Sequence, residues 1–98
     1  MKTKMYNGYQ VLGSRKLAEK LGISHLSMTI GISRVCSRHS FLKPYFIKGF
    51  YIDDTGTFKT FWRVRETGLF VLLTTEIQTE EKTVGRLLKS FDSLTNRS

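Results

Sequence analysis

The stretch Ser14–Val35, SRKLAEKLGISHLSMTIGISRV, decides the fold of this chain of 98 residues. Leu17 and Leu21 are four residues apart and would lie on one apolar face of a helix. Ser14 can cap the start of that helix, and Gly22 can take the left-handed conformation that ends it. The stretch therefore predicts a short helix, a glycine turn and a second helix, which is a helix-turn-helix arrangement.

The second helix is less clearly encoded than the first. Apolar residues alternate with small or polar ones from Leu26 to Ile32, and a period of two taken alone indicates a strand. Gly31 also costs about 1 kcal/mol relative to Ala inside a helix. We nevertheless predict a helix that is capped by Ser24 and buries Met28. Three side chains of its next turns would then face outward: Leu26, Thr29 and Ile30.

The positive charge of the chain is concentrated in its first half. Residues 1–48 hold nine Lys or Arg residues and a single acid, Glu19, whereas the acids and bases of residues 49–98 cancel. The whole formal charge of +8 thus lies in the half that contains the helix-turn-helix pattern. Clustered Lys and Arg suit a phosphate backbone because binding releases its counterions, so the asymmetry favours a nucleic-acid partner over a merely solvated basic face.

We predict double-stranded DNA as that partner, contacted by the helix-turn-helix and by the strands that follow it. Arg34 and Arg38 are the preferred phosphate contacts, because residues four apart would share one face of a continued helix. The full set of predicted DNA-binding residues is Arg15, Lys16, Lys20, His25, Ser27, Thr29, Arg34, Arg38, Lys59 and Arg63.

Turn-forming residues delimit the helix-turn-helix-like segment. Residues 1–13 predict a basic arm and a short strand, with a turn at Asn7-Gly8. Pro44 is predicted to stop any helix, so the segment covers residues 14–43.

A metal site is not predicted in this segment. Cys36 and His39 are three residues apart and His25 is nearby, but structural zinc needs four ligands. The chain holds no second Cys and no further His. We therefore expect Cys36 to be a small buried thiol and both histidines to lie on the surface.

Residues 45–65 predict a β-hairpin, because two strand-like runs flank the loop Asp53-Asp54-Thr55-Gly56. Alternation directs one set of side chains to the core: Phe50, Ile52, Phe58, Trp62 and Val64. The opposite face of the second strand carries a basic set: Lys59, Arg63 and Arg65, with Phe61 among them.

Aromatic residues are concentrated around this hairpin. Nine of the twelve lie between Phe41 and Phe70. Such a density is compatible with a stacking platform for single-stranded nucleic acid. The interpretation we favour is that most of these rings fill the core.

Residues 66–96 predict a helical C-terminal part. A break is expected at Glu66-Thr67-Gly68, and an amphipathic helix is expected from Thr79 onward, with acids in its first turn. The apolar stripe of that helix comprises Val84, Leu87, Leu88, Phe91 and Leu94. This stripe either closes the domain core or makes a homodimer interface.

Several classes of function are disfavoured by the composition and the motifs. The chain has no phosphate-binding glycine loop and no His beside paired carboxylates, so an enzyme is not expected and no cofactor is predicted. No apolar run reaches the roughly 20 residues of a membrane span. A lone cysteine and a start unlike a signal peptide make the bacterial cytoplasm the expected location.

The order of these features resembles the Rha family of phage regulatory proteins over residues 14–94. The resemblance rests on the Ser14–Ile30 run, on FIKGFYIDDTGTFKTFWRVRETGLFVLL and on the last helix. Seven positions carry it: His25, Asp53, Gly56, Trp62, Gly68, Leu72 and Phe91. It implies a phage or prophage origin and a regulator or antirepressor of the lytic programme. The chain departs from the family at Arg65, where a helix-capping Thr is usual, and in the apolar residues after His25.

These patterns together predict a single α+β domain of winged-helix-like order that regulates transcription in the lytic or lysogenic programme by binding DNA. The alternative is an antirepressor that inactivates a phage repressor protein, because apolar residues on the second helix are poorly suited to hydrogen-bond base edges. The patch for such a partner is predicted at Leu26, Ile30, Leu87, Leu88 and Phe91. A single-stranded nucleic-acid binder with an aromatic stacking surface is the second alternative.

Overall fold

Four strands form the sheet of the computed structural model, which describes the backbone of residues 2–95 and the side chains of residues 2–91. The strands are β1 (Lys4–Tyr6), β2 (Tyr9–Gly13), β3 (Phe46–Ile52) and β4 (Phe58–Val64). They lie in the order β1-β2-β4-β3, and each neighbouring pair is antiparallel. The strand that precedes the helices therefore pairs with the second strand of the later hairpin.

The helices lie in two segments of the chain, one between β2 and β3 and one after β4. They are α1 (Ser14–Leu21) and α2 (His25–Arg38) between β2 and β3, and α3 (Glu66–Val71) and α4 (Glu81–Thr95) after β4. A 3₁₀ helix covers Ser40–Tyr45, and a π-helical turn, Leu72–Glu76, continues α3. The result is a compact α+β domain, and no helix in the part of the chain described here is long and apolar enough to cross a membrane.

The predicted helix, glycine turn and second helix are confirmed. Gly22 ends α1 with φ 68°, and the Ser24 side chain accepts a hydrogen bond from the Ser27 N–H at the start of α2. A helix forms despite Gly31 because the chain packs closely there: a Cβ on Gly31 would lie 2.9 Å from Cδ1 of Ile77. Tertiary contact thus offsets the poor helix propensity of glycine.

Ser14 does not cap α1 as predicted. Gly13 occupies the N-cap position, and Ser14 is fully buried as the first helical residue. Its Oγ accepts the Trp62 backbone N–H at 2.8 Å and lies 2.8 Å from Nε2 of His25. One hydroxyl therefore ties the start of α1 to β4 and to the start of α2.

Three local predictions are wrong. Lys4–Tyr6 is a strand rather than an arm, because Asn7 and Gly8 take positive φ and reverse the chain in two residues. Pro44 does not stop a helix: α2 ends earlier, at Arg38, and Pro44 lies inside the 3₁₀ helix. The expected break at Glu66 is the first residue of α3.

The face assignment of the β3–β4 hairpin is confirmed, but the burial predicted for its outer half is wrong. Phe46 and Val64, at its base, are buried in the core. Phe50, Ile52 and Phe58 share that face and are 64%, 61% and 72% exposed. The hairpin extends beyond the helices that cover its base, so alternation alone does not locate the end of the core.

The aromatic residues between Phe41 and Phe70 are not mostly core, contrary to our interpretation. Phe46 is the one ring of the nine that is buried. The interior is filled mainly by aliphatic side chains. They include Leu12, Leu17, Met28, Ile32, Val35, Leu69, Leu72 and Leu73.

The α4 helix closes this core. Leu87 and Phe91 are buried in it, and Val84 and Leu88 pack against it. Leu87, Leu88 and Phe91 therefore serve the interior, and their assignment to a protein-partner patch is wrong. The Leu94 side chain, also predicted for this stripe, lies outside the described side chains.

Candidate nucleic-acid interface

A groove of about 420 Å³ lies between the β1–β2 hairpin, the start of α1 and the outer face of β3 and β4. Five cationic residues line it: Lys2, Lys4, Arg15, Lys16 and Arg63. Three aromatic residues line it as well: Tyr6, Tyr51 and Phe61. No Asp or Glu is among the residues that line it. We call this groove the basic trough.

The two arginines of the trough are held on aromatic rings. The Arg15 guanidinium carbon lies 4.0 Å from the centre of the Tyr51 ring. The Arg63 guanidinium carbon lies 4.0 Å from the Tyr6 ring centre and 4.8 Å from that of Phe61. Stacking fixes the plane of a guanidinium while its N–H donors remain at the edge, where an oxygen acceptor can reach them.

Gly49 makes room for two side chains that line the trough, Phe61 and Arg63. It pairs with Phe61 across the hairpin, and a Cβ at this position would lie 2.6 Å from Cε1 of Phe61 and 2.5 Å from Nη1 of Arg63. A side chain here would displace both groups. A glycine inside a strand often marks such a close approach, and here it lets the ring and the guanidinium lie across β3.

The cations at the start of α1 oppose the local preference of a helix. Arg15 and Lys16 stand in its first turn, which holds no acid. The helix dipole favours anions at that end, by about 0.3–1 kcal/mol per charge. Residues placed against local preference are expected at functional sites. The two ion pairs found in the described part of the chain, Arg38–Glu76 and Lys59–Asp53, involve neither of these cations.

A second cavity, of about 740 Å³, continues the trough along α1. It shares Lys2, Lys4 and Lys16 with the first and adds Lys20. Glu19 is the one acid that lines it. The trough and its continuation together gather six cations around one carboxylate.

Four residues of the predicted DNA-binding set therefore lie along the trough: Arg15, Lys16, Lys20 and Arg63. Two further cations of that set form ion pairs with carboxylates. Arg38 Nη1 lies 2.6 Å from Glu76 Oε2, and Lys59 Nζ lies 3.9 Å from Asp53 Oδ2. Hydrogen bonds from Thr55 and Thr57 lower the pKa of Asp53, so this partner is anionic at neutral pH. These pairs reduce the charge that Arg38 and Lys59 offer to a phosphate.

The His25 ring makes a hydrogen bond within the fold. Its Nε2 lies 2.8 Å from Ser14 Oγ. Partial burial, and then the nearby Arg15 charge, lower the pKa of His25 below its usual 6.5. The imidazole is therefore mostly neutral at pH 7 and adds little positive charge to the surface.

The exposed face of α2 is mixed in character. Leu26 and Ile30 are 69% and 43% exposed, as predicted for outward positions. Arg34 is exposed beside a shallow hollow that Thr29 and Ile30 also line. The Thr29 hydroxyl donates to the Leu26 carbonyl, which leaves only its lone pairs for a partner.

Ser27, at the start of α2, also makes local hydrogen bonds. The Ser27 N–H donates to Ser24 Oγ, and the Ser27 hydroxyl receives a hydrogen bond from that of Ser24. Ser27 is exposed, and its hydroxyl hydrogen remains available to donate to a partner.

A scan against protein-family models finds no match, and searches of curated proteins and of solved structures find no significant similarity. Among the described residues no group of three or more His, Cys, Asp and Glu side chains could hold a metal ion. Cys36 is half-buried rather than buried, and burial raises the pKa of its thiol. The two histidines are also half-buried rather than on the surface.

Five of the eight cationic and aromatic residues of the trough lie outside the predicted site. Lys2, Lys4, Tyr6 and Tyr51 were not predicted as site residues, and Phe61 was noted only as a neighbour of arginines. The Asn7-Gly8 dipeptide is a strong two-residue hairpin signal, and pairing around it would have placed Lys4 and Tyr6 beside β2. No local pattern shows that the start of α1 reaches the ring of Tyr51.

Proposed function

We propose that this protein is a nucleic-acid-binding regulator of transcription, and that the basic trough supplies its phosphate contacts. The observation that carries the proposal is the trough lining: five cations and no carboxylate. Gathered cations strengthen the binding of a polyanion, because each phosphate that they neutralise releases its counterions. A surface that serves only solubility does not need its cations in one concave site.

The order of the elements supports duplex DNA as the target. A strand, two helices and a hairpin follow one another, and the second hairpin strand pairs with the first strand. This order is similar to that of a winged helix, in which α2 would be the helix offered to a groove and the β3–β4 hairpin the wing. Arg15 and Lys16 would stand beside α2 and contact the backbone. The phage or prophage setting implied by the resemblance remains part of this proposal.

The test compares two triple variants with equal loss of charge. Lys4→Gln/Arg15→Gln/Lys16→Gln removes three trough cations, and Lys82→Gln/Arg86→Gln/Lys89→Gln removes three exposed cations of α4. Fluorescence anisotropy with a short labelled duplex at low salt should show a loss of about tenfold or more for the trough variant, and little change for the α4 variant. Equal losses in both variants would mean that net charge alone binds DNA, and no binding by the wild type would refute the proposal.

A second candidate function is protein recognition, favoured by the exposure of Leu26 and Ile30. An apolar pair flanked by Arg34 suits docking on a protein, such as the repressor of the same phage, better than reading of bases. Leu26→Ser/Ile30→Ser should then abolish capture of that repressor while leaving the melting temperature and DNA binding nearly unchanged. Ser33→Ala/Ser37→Ala, on the exposed face of the same helix, is the matched control. Retained capture by the Leu26/Ile30 variant would exclude this function.

A further inference from the structure

The basic trough is concave and small. Its volume of about 420 Å³ falls in the range of about 300–1,000 Å³ typical of pockets that hold a compact organic molecule, which is the size class of a nucleotide. A duplex presents its phosphates on a convex surface and keeps its bases stacked inside. The rim of the trough can touch such a backbone, but the aromatic rings within it would then contact no part of the nucleic acid.

The rings and cations of the trough are intermixed. Tyr51 and Phe61 face each other edge-on, with ring centres 6.1 Å apart, and Arg15 lies over the Tyr51 ring. Both rings are partly exposed. Unpaired bases stack on aromatic rings and on guanidinium planes, whereas phosphates pair with the cations between them. The trough offers both kinds of contact on one surface.

The continuation along α1 gives a strand a path. Beyond the rings, the cavity of about 740 Å³ is lined by four lysines and no aromatic residue. A flexible chain with one phosphate per nucleotide can place a base or two in the aromatic part and its following phosphates beside the lysines. A duplex, whose bases are paired inside, offers only its backbone to either part.

We propose that the basic trough binds an unpaired strand of nucleic acid, with bases against Tyr51, Phe61 and the arginines, and phosphates along Lys4, Lys16 and Lys20. This proposal rests on the proposed nucleic-acid function and adds to it: the phosphates of a duplex contact the rim of the trough, whereas an unpaired strand also places its bases inside. It differs from a stacking platform on the hairpin as a whole, because the exposed Phe50 and Phe58 lie on the opposite face.

The hairpin supplies a matched pair of variants. Tyr51→Leu/Phe61→Leu removes the rings of the trough, and Phe50→Leu/Phe58→Leu removes two rings of the same strands on the other face. The probes are a labelled oligothymidylate and a labelled duplex of equal length. The wild type should bind the single strand more tightly. The trough variant should lose about tenfold or more for the single strand and change little for the duplex. The opposite-face variant should behave as the wild type with both probes.

Several results would overturn the proposal. Tighter binding of the duplex by the wild type, or equal effects of the two double variants, would do so. Duplex binding without single-strand binding would refute this inference and leave the proposed function standing, whereas binding of neither probe would refute both.

A measurement on the unaltered protein covers the case in which the trough variant is unstable. A 5-bromouracil-substituted oligonucleotide, irradiated with the wild-type protein, should crosslink to Tyr6, Tyr51 or Phe61. Fragmentation of the crosslinked peptides must assign the modified residue, because Tyr51 is adjacent to Phe50. Crosslinks confined to Phe50, Phe58 or α2 would overturn the proposal.

Discussion

The β3–β4 hairpin has two faces of opposite character. On the outer face, Tyr51 and Phe61 are covered by Arg15 and Arg63 and border a basic trough. On the other face, Phe46 and Val64 are buried at the base, but the same row of side chains ends in exposed apolar residues toward the turn. The turn itself is acidic, and Asp53 there accepts hydrogen bonds from Thr55 and Thr57.

The difference teaches that alternation and burial are separate properties of a strand. Period-two alternation sorts side chains between the faces because successive residues point in opposite directions. Burial depends on which helices cover each face and how far they extend along the strand. A binding partner can reach both the apolar outer half of one face and the stacked arginines of the other. The apolar side chains suit an apolar surface, whereas the arginines suit an anionic group.

The largest effect is expected from substitutions that compare the base of the hairpin with its outer half. Phe46→Ala should lower the free energy of unfolding by about 3–5 kcal/mol, because it opens a cavity in the core. Phe58→Ala, on the same face, should change it by no more than about 0.5 kcal/mol. Urea unfolding of both variants measures the difference. Similar losses would place Phe58 in a packed environment and contradict the boundary of the core described here.

A smaller effect is expected at the joint between α1 and β4. Ser14→Ala removes the acceptor of the partly buried Trp62 N–H, so the free energy of unfolding should fall by about 0.5–1.5 kcal/mol. Ser37→Ala, at an exposed position of α2, is the control and should be nearly neutral. If Ser14→Ala is also neutral, the hydroxyl does not hold the start of α1 against β4, and the position of Arg15 over Tyr51 needs another cause.

The smallest effect is expected from pH. The pKa of His25 in the folded chain lies below its usual 6.5, so the unfolded chain binds more protons between those two values. The stability contributed by neutral His25 is therefore complete above pH 6.5 and is lost as the pH falls through the folded pKa. Partial solvent exposure keeps the effect small.

The control for the pH effect is a second histidine. The melting temperature of the wild type should fall more on acidification from about pH 7 to pH 5 than that of His25→Gln. His39→Gln should follow the wild type. If His25→Gln shows the same pH dependence as the wild type, His25 is not the group responsible.

Local signals predicted much of the fold. The α1–α2 pair, the hairpin and the buried stripe of α4 follow from capping residues, turn residues and periodicity, all of which act over a few positions. The helical identity of α2 was harder because Gly31 and the Leu26–Ile32 alternation oppose it. That element depends on the contact with Ile77, which lies far away in the sequence.

The site was predicted less completely than the fold. Charge asymmetry identified Arg15, Lys16 and Lys20, since net charge is visible in composition, and strand alternation placed Arg63 on the outer face of the hairpin. Neutralisation of Arg38 by Glu76 and occupation of His25 by Ser14 arise from tertiary contacts that no local pattern contains. The trough likewise joins residues 2–16 to residues 51–63, and these segments are brought together by the pairing of β2 with β4 and by the hydrogen bond from the Trp62 N–H to Ser14.

The most direct test of the central claim is the salt dependence of duplex binding. Each phosphate contact contributes about −0.9 to the slope of log K against log salt concentration, so removal of Lys4, Arg15 and Lys16 should reduce the slope by about 2 to 3 if all three contact phosphates. The Lys82/Arg86/Lys89 variant should keep the slope of the wild type. A steep slope that is unchanged by the trough variant, or reduced equally by both variants, would contradict the claim that the trough is the phosphate-binding surface.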